Sequence, residues 1–172
     1  MTLKQKGLST VLVLCLIFLT GSAVYAQTDE GAKNEATMKS MYDLVINQGK
    51  MDLFDKFFAD NFVEHEMLPP NVPPGKEGVK QFFTMLRKAF PDLKFTVNDM
   101  VTSGDKVWTY ITISGTQNGP FMDMPASGKK INIQGFDIVR FANGKAVEHW
   151  GLTDDTTMMT QLGAIPPPGE KK

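Results

Sequence analysis

Apolar residues recur along this chain with two different periods, and the change of period divides it. From Met38 the spacing is helical. Met38, Met41, Tyr42, Val45 and Ile46 fall at i, i+3, i+4, i+7 and i+8, the stripe of an amphipathic helix. Gly49 is placed to end it. Asp52 is placed to cap a second, shorter helix carrying Leu53, Phe54, Phe57 and Phe58. Asn61 to Glu66 reads as a short extended segment. It leads into a loop with Pro69, Pro70, Pro73 and Pro74, a proline density that excludes a regular element. Helical spacing returns from about Lys76 to Phe90, with Val79, Phe82, Phe83, Leu86 and Phe90 on one face, and Pro91 stops it.

From Leu93 the pattern becomes strand-like. Lys94 to Val101 is one strand, Ser103-Gly104-Asp105 a turn, and Lys106 to Thr116 a β-branched and aromatic strand. Trp108 and Tyr110 share one face of it; Thr109, Ile111 and Ile113 share the other. Gln117 to Lys130 is a loop. Ile131 to Gly163 then reads as strand, tight turn, strand, short helix, with Asp154 and Asp155 placed to cap that helix. Helices first and strands afterwards predict an α+β fold, a strongly curved antiparallel sheet covered by the N-terminal helices. Such a sheet leaves a cone-shaped pocket at one end.

The first 26 residues read as a signal peptide. Lys4 and Lys6 make a basic start, Val11 to Leu19 is uninterruptedly apolar, and Val24-Tyr25-Ala26 has the small residues of a cleavage site. The expected organisation is therefore a signal over 1–26, a flexible lead over 27–33, one domain over 34–163 and a proline-rich flexible tail over 164–172. The expected location is periplasmic or secreted, with no membrane association after cleavage. The single cysteine, Cys15, lies inside the apolar run, so the mature part has no disulfide or thiolate chemistry. Losing Lys4 and Lys6 takes the formal charge from −1 to −3. With no basic run, nothing points to nucleic acid.

Several short pieces, in order, resemble one family. They are Asn61-Phe62-Val63-Glu64-His65, Phe90-Pro91-Asp92, Ser114-Gly115-Thr116, Gly119-Pro120-Phe121, Gly128-Lys129-Lys130, Arg140-Phe141 with Asn143-Gly144-Lys145, Glu148-His149-Trp150, Asp154 and Gln161-Leu162-Gly163. The chain resembles the SnoaL-like polyketide cyclase and ester cyclase family of the NTF2-like superfamily. The resemblance implies an NTF2-like cone. It also implies, for the cyclases of the family, an intramolecular aldol step in which an aspartate acts as acid and base beside a histidine. Carried across, the histidine falls on Asp137 and the aspartate on Gly151, and glycine cannot move a proton. The chemistry is then either lost or carried by another group.

Asp137 and His149 are the remaining candidates for catalysis, and the turn between them decides how they meet. A three-residue loop, Ala142-Asn143-Gly144, sets Asp137 directly opposite His149; a two-residue Asn143-Gly144 turn sets it opposite Trp150. The three-residue loop is favoured. It puts Ile133, Gly135, Asp137, Val139, Val147, His149 and Gly151 on one face, the candidate pocket wall. It puts Phe136, Ile138, Trp150 and Leu152 on the other, a surface suited to pairing two copies. Asp137 with His149 can take a proton from carbon next to a carbonyl, or can simply be a satisfied buried pair. His65, between Glu64 and Glu66, is expected at the pocket mouth. Ligand contacts are expected from His65, Ile133, Val139, Val147 and Gly151. A metal on His65, Asp137 and His149 is conceivable, but no ligand spacing supports one, and neither a metal nor a cofactor is expected. Two functions follow: acid–base catalysis on a small, mostly apolar carbonyl compound (cyclase, isomerase or lyase), or non-catalytic binding of a small hydrophobic ligand or a periplasmic partner.

Overall fold

A computed structural model describes residues 18–167 and 169, with side chains from Asp29 onward. The expected signal over 1–26 lies largely outside the described residues. Helix α1 spans Phe18–Ser40 and continues into a wider turn, Met41–Asn47. There the bonding slips to i→i+5, with Gln48 N donating to Asp43 O at 3.0 Å. The expected stripe is the buried face: Met38, Met41, Tyr42, Val45 and Ile46 are all in the core. The polar stretch 27–33, read as a flexible lead, is instead helical. Gly31 is why it can pack: even a Cβ there would come within 3.1 Å of Thr102 Cγ2, so the helix lies close on the sheet. Thr102 Oγ1 then donates to Glu35 Oε1 at 2.8 Å.

Gly49 ends the helix at φ 68°. Arg87 Nη1 donates to the freed carbonyls of Ile46 and Asn47, both at 2.9 Å. The second helix is shorter than its pattern predicts. A single tight turn over Met51–Leu53 leads into α2, Phe54–Phe57, and Asp52 makes no side-chain cap. Phe58 leaves the helix to open β1, Phe58–Glu64, stacked on Phe54 at 3.9 Å. Helix α3 spans Gly75–Ala89.

The strands are β2 (Lys94–Ser103), β3 (Lys106–Thr116), β4 (Lys130–Ala142) and β5 (Lys145–Thr153), followed by α4 (Asp155–Leu162). Asp154 caps α4, accepting from Thr157 N at 3.0 Å. The sheet is curved and unclosed, in the order β1-β5-β4-β3-β2. Its four long strands are antiparallel, as expected, while β1 joins the edge of β5 in parallel. Ile111, Ile113, Ile131, Ile133 and Val139 are buried on the helix-covered face.

The β4–β5 hairpin corrects the expected register. Asn143 and Gly144 both have positive φ, 52° and 74°, and form a two-residue turn with Ala142 opposite Lys145. That turn alone would send Asp137 opposite Trp150, and so to the wrong face. A bulge prevents this. Phe141 pairs with Ala146 but Arg140 pairs with Glu148, leaving Val147 as the extra residue. Beyond the bulge Val139 faces His149 and Asp137 faces Gly151. Asp137 and His149 thus share a face as diagonal neighbours rather than as a direct pair.

Candidate active site

Four side chains from four segments meet on the concave face. Asp137 comes from β4 and His149 from β5. Glu64 comes from the end of β1, where the parallel register sets it beside His149. Tyr42 reaches over from the wide turn that follows α1. Tyr42 Oη donates to Asp137 Oδ2 at 2.5 Å. Asp137 Oδ1 lies 3.3 Å from His149 Nε2. His149 Nδ1 lies 2.8 Å from each oxygen of Glu64. The result is a continuous chain, Glu64–His149–Asp137–Tyr42.

Both ring nitrogens of His149 face a carboxylate, so the doubly protonated ring satisfies both. Burial pulls the other way, disfavouring the charged ring. The hydrogen bonds and charges of Asp137 and Glu64 outweigh it and raise the imidazolium from 6.5 to about 10. His149 is therefore a cation at neutral pH: a donor, not a base. Burial, then the charge of Asp137, holds the Tyr42 hydroxyl well above its ordinary range, so it also stays protonated.

Glu66 is the fifth polar group. Its backbone N donates to Glu64 Oε1 at 2.8 Å, which turns the chain out of β1. Its carboxylate has no hydrogen-bond partner among the described residues. Burial raises the Glu66 carboxyl above the ordinary glutamate value; the charges of Asp137, Glu64 and Asp155 push the same way, and His149 opposes them.

These groups line a cavity of about 360 Å³ whose remaining wall is mostly apolar, with Phe58, Phe82, Phe83, Ile133, Val139 and Met158 among its members. Of the residues singled out in the sequence, Asp137, His149, Ile133 and Val139 are in this wall. Three are not. His65 alternates away from Glu64 and Glu66 to the opposite face of the sheet. There its Nε2 lies 2.8 Å from Glu148 Oε1 and its ring stacks on Trp150 at 4.7 Å. Val147 is displaced by the bulge it forms. Gly151 is on the expected face, but Glu66 covers it: a Cβ at 151 would overlap Glu66 Oε2. The metal set His65, Asp137 and His149 is therefore not assembled. Glu64, Glu66 and His149 do bring ligand atoms within 4.8 Å of one another. Glu64 already holds Nδ1 of that ring, and Asp137 faces its Nε2. Sequence reasoning missed Tyr42, Glu64 and Glu66 as site residues. The available signal was alternation in Glu64-His65-Glu66, which sends the two glutamates to the face His65 leaves.

The fold is a small α+β one, a curved, unclosed sheet with helices over its concave face. The sequence profile of the SnoaL-like polyketide cyclase family matches residues 36–162, and the chain belongs to that family. Solved structures agree. TsrD from Streptomyces laurentii is 28% identical with a TM-score of 0.70, covering 78% of this chain and 97% of that one. IdmH from Streptomyces antibioticus, a candidate polyketide cyclase, is 30% identical with a TM-score of 0.65, covering 76% and 98%. A candidate polyketide cyclase from Bacillus cereus is 32% identical with a TM-score of 0.66, covering 77% and 82%. No curated protein matches in sequence. These relatives carry the NTF2-like fold expected from the sequence.

Proposed function

We propose that this chain is an exported enzyme that moves protons on a small, mostly apolar carbonyl compound, held in the cavity between the sheet and the helices. The carrying observation is the chain Glu64–His149–Asp137–Tyr42, set into a wall that is otherwise largely apolar. A carboxylate takes a proton from carbon effectively only when it is held in place and shielded from water. Tyr42 and His149 hold Asp137, and the apolar wall provides the shielding. Asp137 is the proton acceptor. His149 fixes it and supplies positive charge to the oxygen on which negative charge develops.

The reaction class is enolisation followed by ring closure, isomerisation or elimination, and it needs no cofactor. The candidate polyketide cyclases among the relatives favour ring closure. Export rests on the basic start, apolar run and Val24-Tyr25-Ala26 site of the N-terminus. A second reading, binding without turnover, has its own support. Both Asp137 oxygens already accept hydrogen bonds, as in a purely structural pair.

The two readings separate in a panel of ketones and enol lactones, with turnover and binding measured for the parent, Asp137→Asn and His149→Ala. Acid–base catalysis predicts turnover by the parent and a loss of about 100-fold or more in Asp137→Asn, with binding largely kept. Binding in all three with turnover in none would leave only the second reading.

A further inference from the structure

Glu66 lies where a side chain of residue 151 would have to begin. Gly151 sits directly across from Asp137 in the β4–β5 ladder. A Cβ built on it would overlap Glu66 Oε2, and would meet His149 Cε1 at 2.9 Å. The absent side chain of β5 is thus replaced in space by a carboxylate arriving from the end of β1. It differs from Glu64 and Asp137, the two carboxylates bonded to His149. Glu64 is fixed by His149, and Asp137 by Tyr42 and His149. The Glu66 carboxylate lines the cavity with no hydrogen-bond partner among the described residues. It is free to change protonation state without breaking the structure around it.

We propose that Glu66 is the proton donor of this pocket, and that position 151 is glycine because the Glu66 carboxylate occupies its side-chain space. This assignment rests on the acid–base reading above. In the enolisation step Asp137 takes the α-proton. The C–H electron pair becomes the carbon–carbon π bond and the carbonyl π pair moves to oxygen. The neutral Glu66 carboxyl gives its proton to that oxygen. An enol results, with Asp137 protonated and Glu66 ionised. Reversal after the Asp137 proton has exchanged with solvent deuterium restores both groups and labels the α-carbon. Burial raises the Glu66 carboxyl above the ordinary glutamate value, the charge of His149 opposes this, and Asp137, Glu64 and Asp155 add to it, so the proton is held more tightly here than on an exposed glutamate.

The test is deuterium uptake at the α-carbon of 1-tetralone and cyclohexanone in heavy water near neutral pH, followed by proton NMR. The parent, Glu66→Gln, Asp137→Asn, Gly151→Ala and the double variant Glu66→Ala with Gly151→Asp are compared. Circular dichroism checks folding, and ligand-observed NMR checks probe binding. Glu66→Gln is expected to lose about 100-fold in exchange while still binding the probe. Gly151→Ala, which pushes the Glu66 carboxylate aside, is expected to fall between the two. The double variant, which moves the carboxyl from position 66 to 151, is expected to recover part of the loss; a merely structural Glu66 would give no such rescue. Parent-level exchange in Glu66→Gln, with loss in Asp137→Asn, would overturn the role of Glu66 alone. No exchange by the parent on either probe would overturn the acid–base reading and the Glu66 assignment with it.

Discussion

His149 is subject to two opposed effects, and their balance fixes its charge. Burial favours the neutral ring, while Glu64 and Asp137 favour the imidazolium and prevail, raising it from 6.5 to about 10. The folded chain therefore binds this proton more tightly than the unfolded chain does. Stability from this source is fully present below about pH 6.5 and is lost as pH rises through about 10. At ~1.4 kcal/mol per pKa unit, it amounts to a few kcal/mol. Denaturant unfolding of the parent and of His149→Gln should therefore differ most near pH 6 and least near pH 10. A difference that is constant, or that grows with pH, would contradict this. Glu66 acts in the same pH direction, although there it is the charged form that the fold disfavours. Its raised carboxyl means that ionising it as pH rises costs stability. A proton donor in an apolar wall carries such a cost.

The β4–β5 hairpin shows what a sequence discloses about an element and what it conceals. Alternation placed Ile133, Asp137, Val139 and His149 on one face, and they share it. The Asn143-Gly144 turn is legible as a two-residue loop, the less favoured alternative, and it is the one formed. The bulge at Val147 was not legible. A bulge is set by how two strands pair and twist, and Val147 fits the alternation equally well without one. Two departures from the favoured register cancel, so the face survives although every pairing is shifted. The helical stripe from Met38 to Ile46 read correctly because burial enforces its spacing. Glu64 and Glu66 were passed over because their partner, β5, is distant in sequence and parallel. The parallel edge is also why His65 lies with Glu148 and Trp150 on the convex face.

At the scale of the molecule, one curved sheet serves two surfaces. Its concave face takes the helices, the core and the polar wall. Its convex face shows Trp108 (47% exposed), Phe136 (55%) and Leu152 (72%), with Tyr110 stacked on Phe136 at 4.9 Å. We propose that a second copy of the chain covers this face. Light scattering should then give twice the chain mass for the parent and the single mass for Phe136→Lys combined with Leu152→Lys, with no loss of probe binding in the cavity. A parent that stays monomeric at high concentration would contradict the pairing. No helix among the described residues is long and apolar enough to cross a membrane.

The central claim is that an imidazolium locked between two carboxylates forms the polar wall of an apolar cavity. Nitrogen-15 NMR of histidine-labelled protein tests it most directly. The chain has two histidines, so His65→Ala assigns both signals. The account predicts that His149 carries protons on both ring nitrogens at about pH 8 and loses one only near pH 10. A neutral His149 ring at about pH 8, titrating near 6.5 like a free histidine, would contradict it.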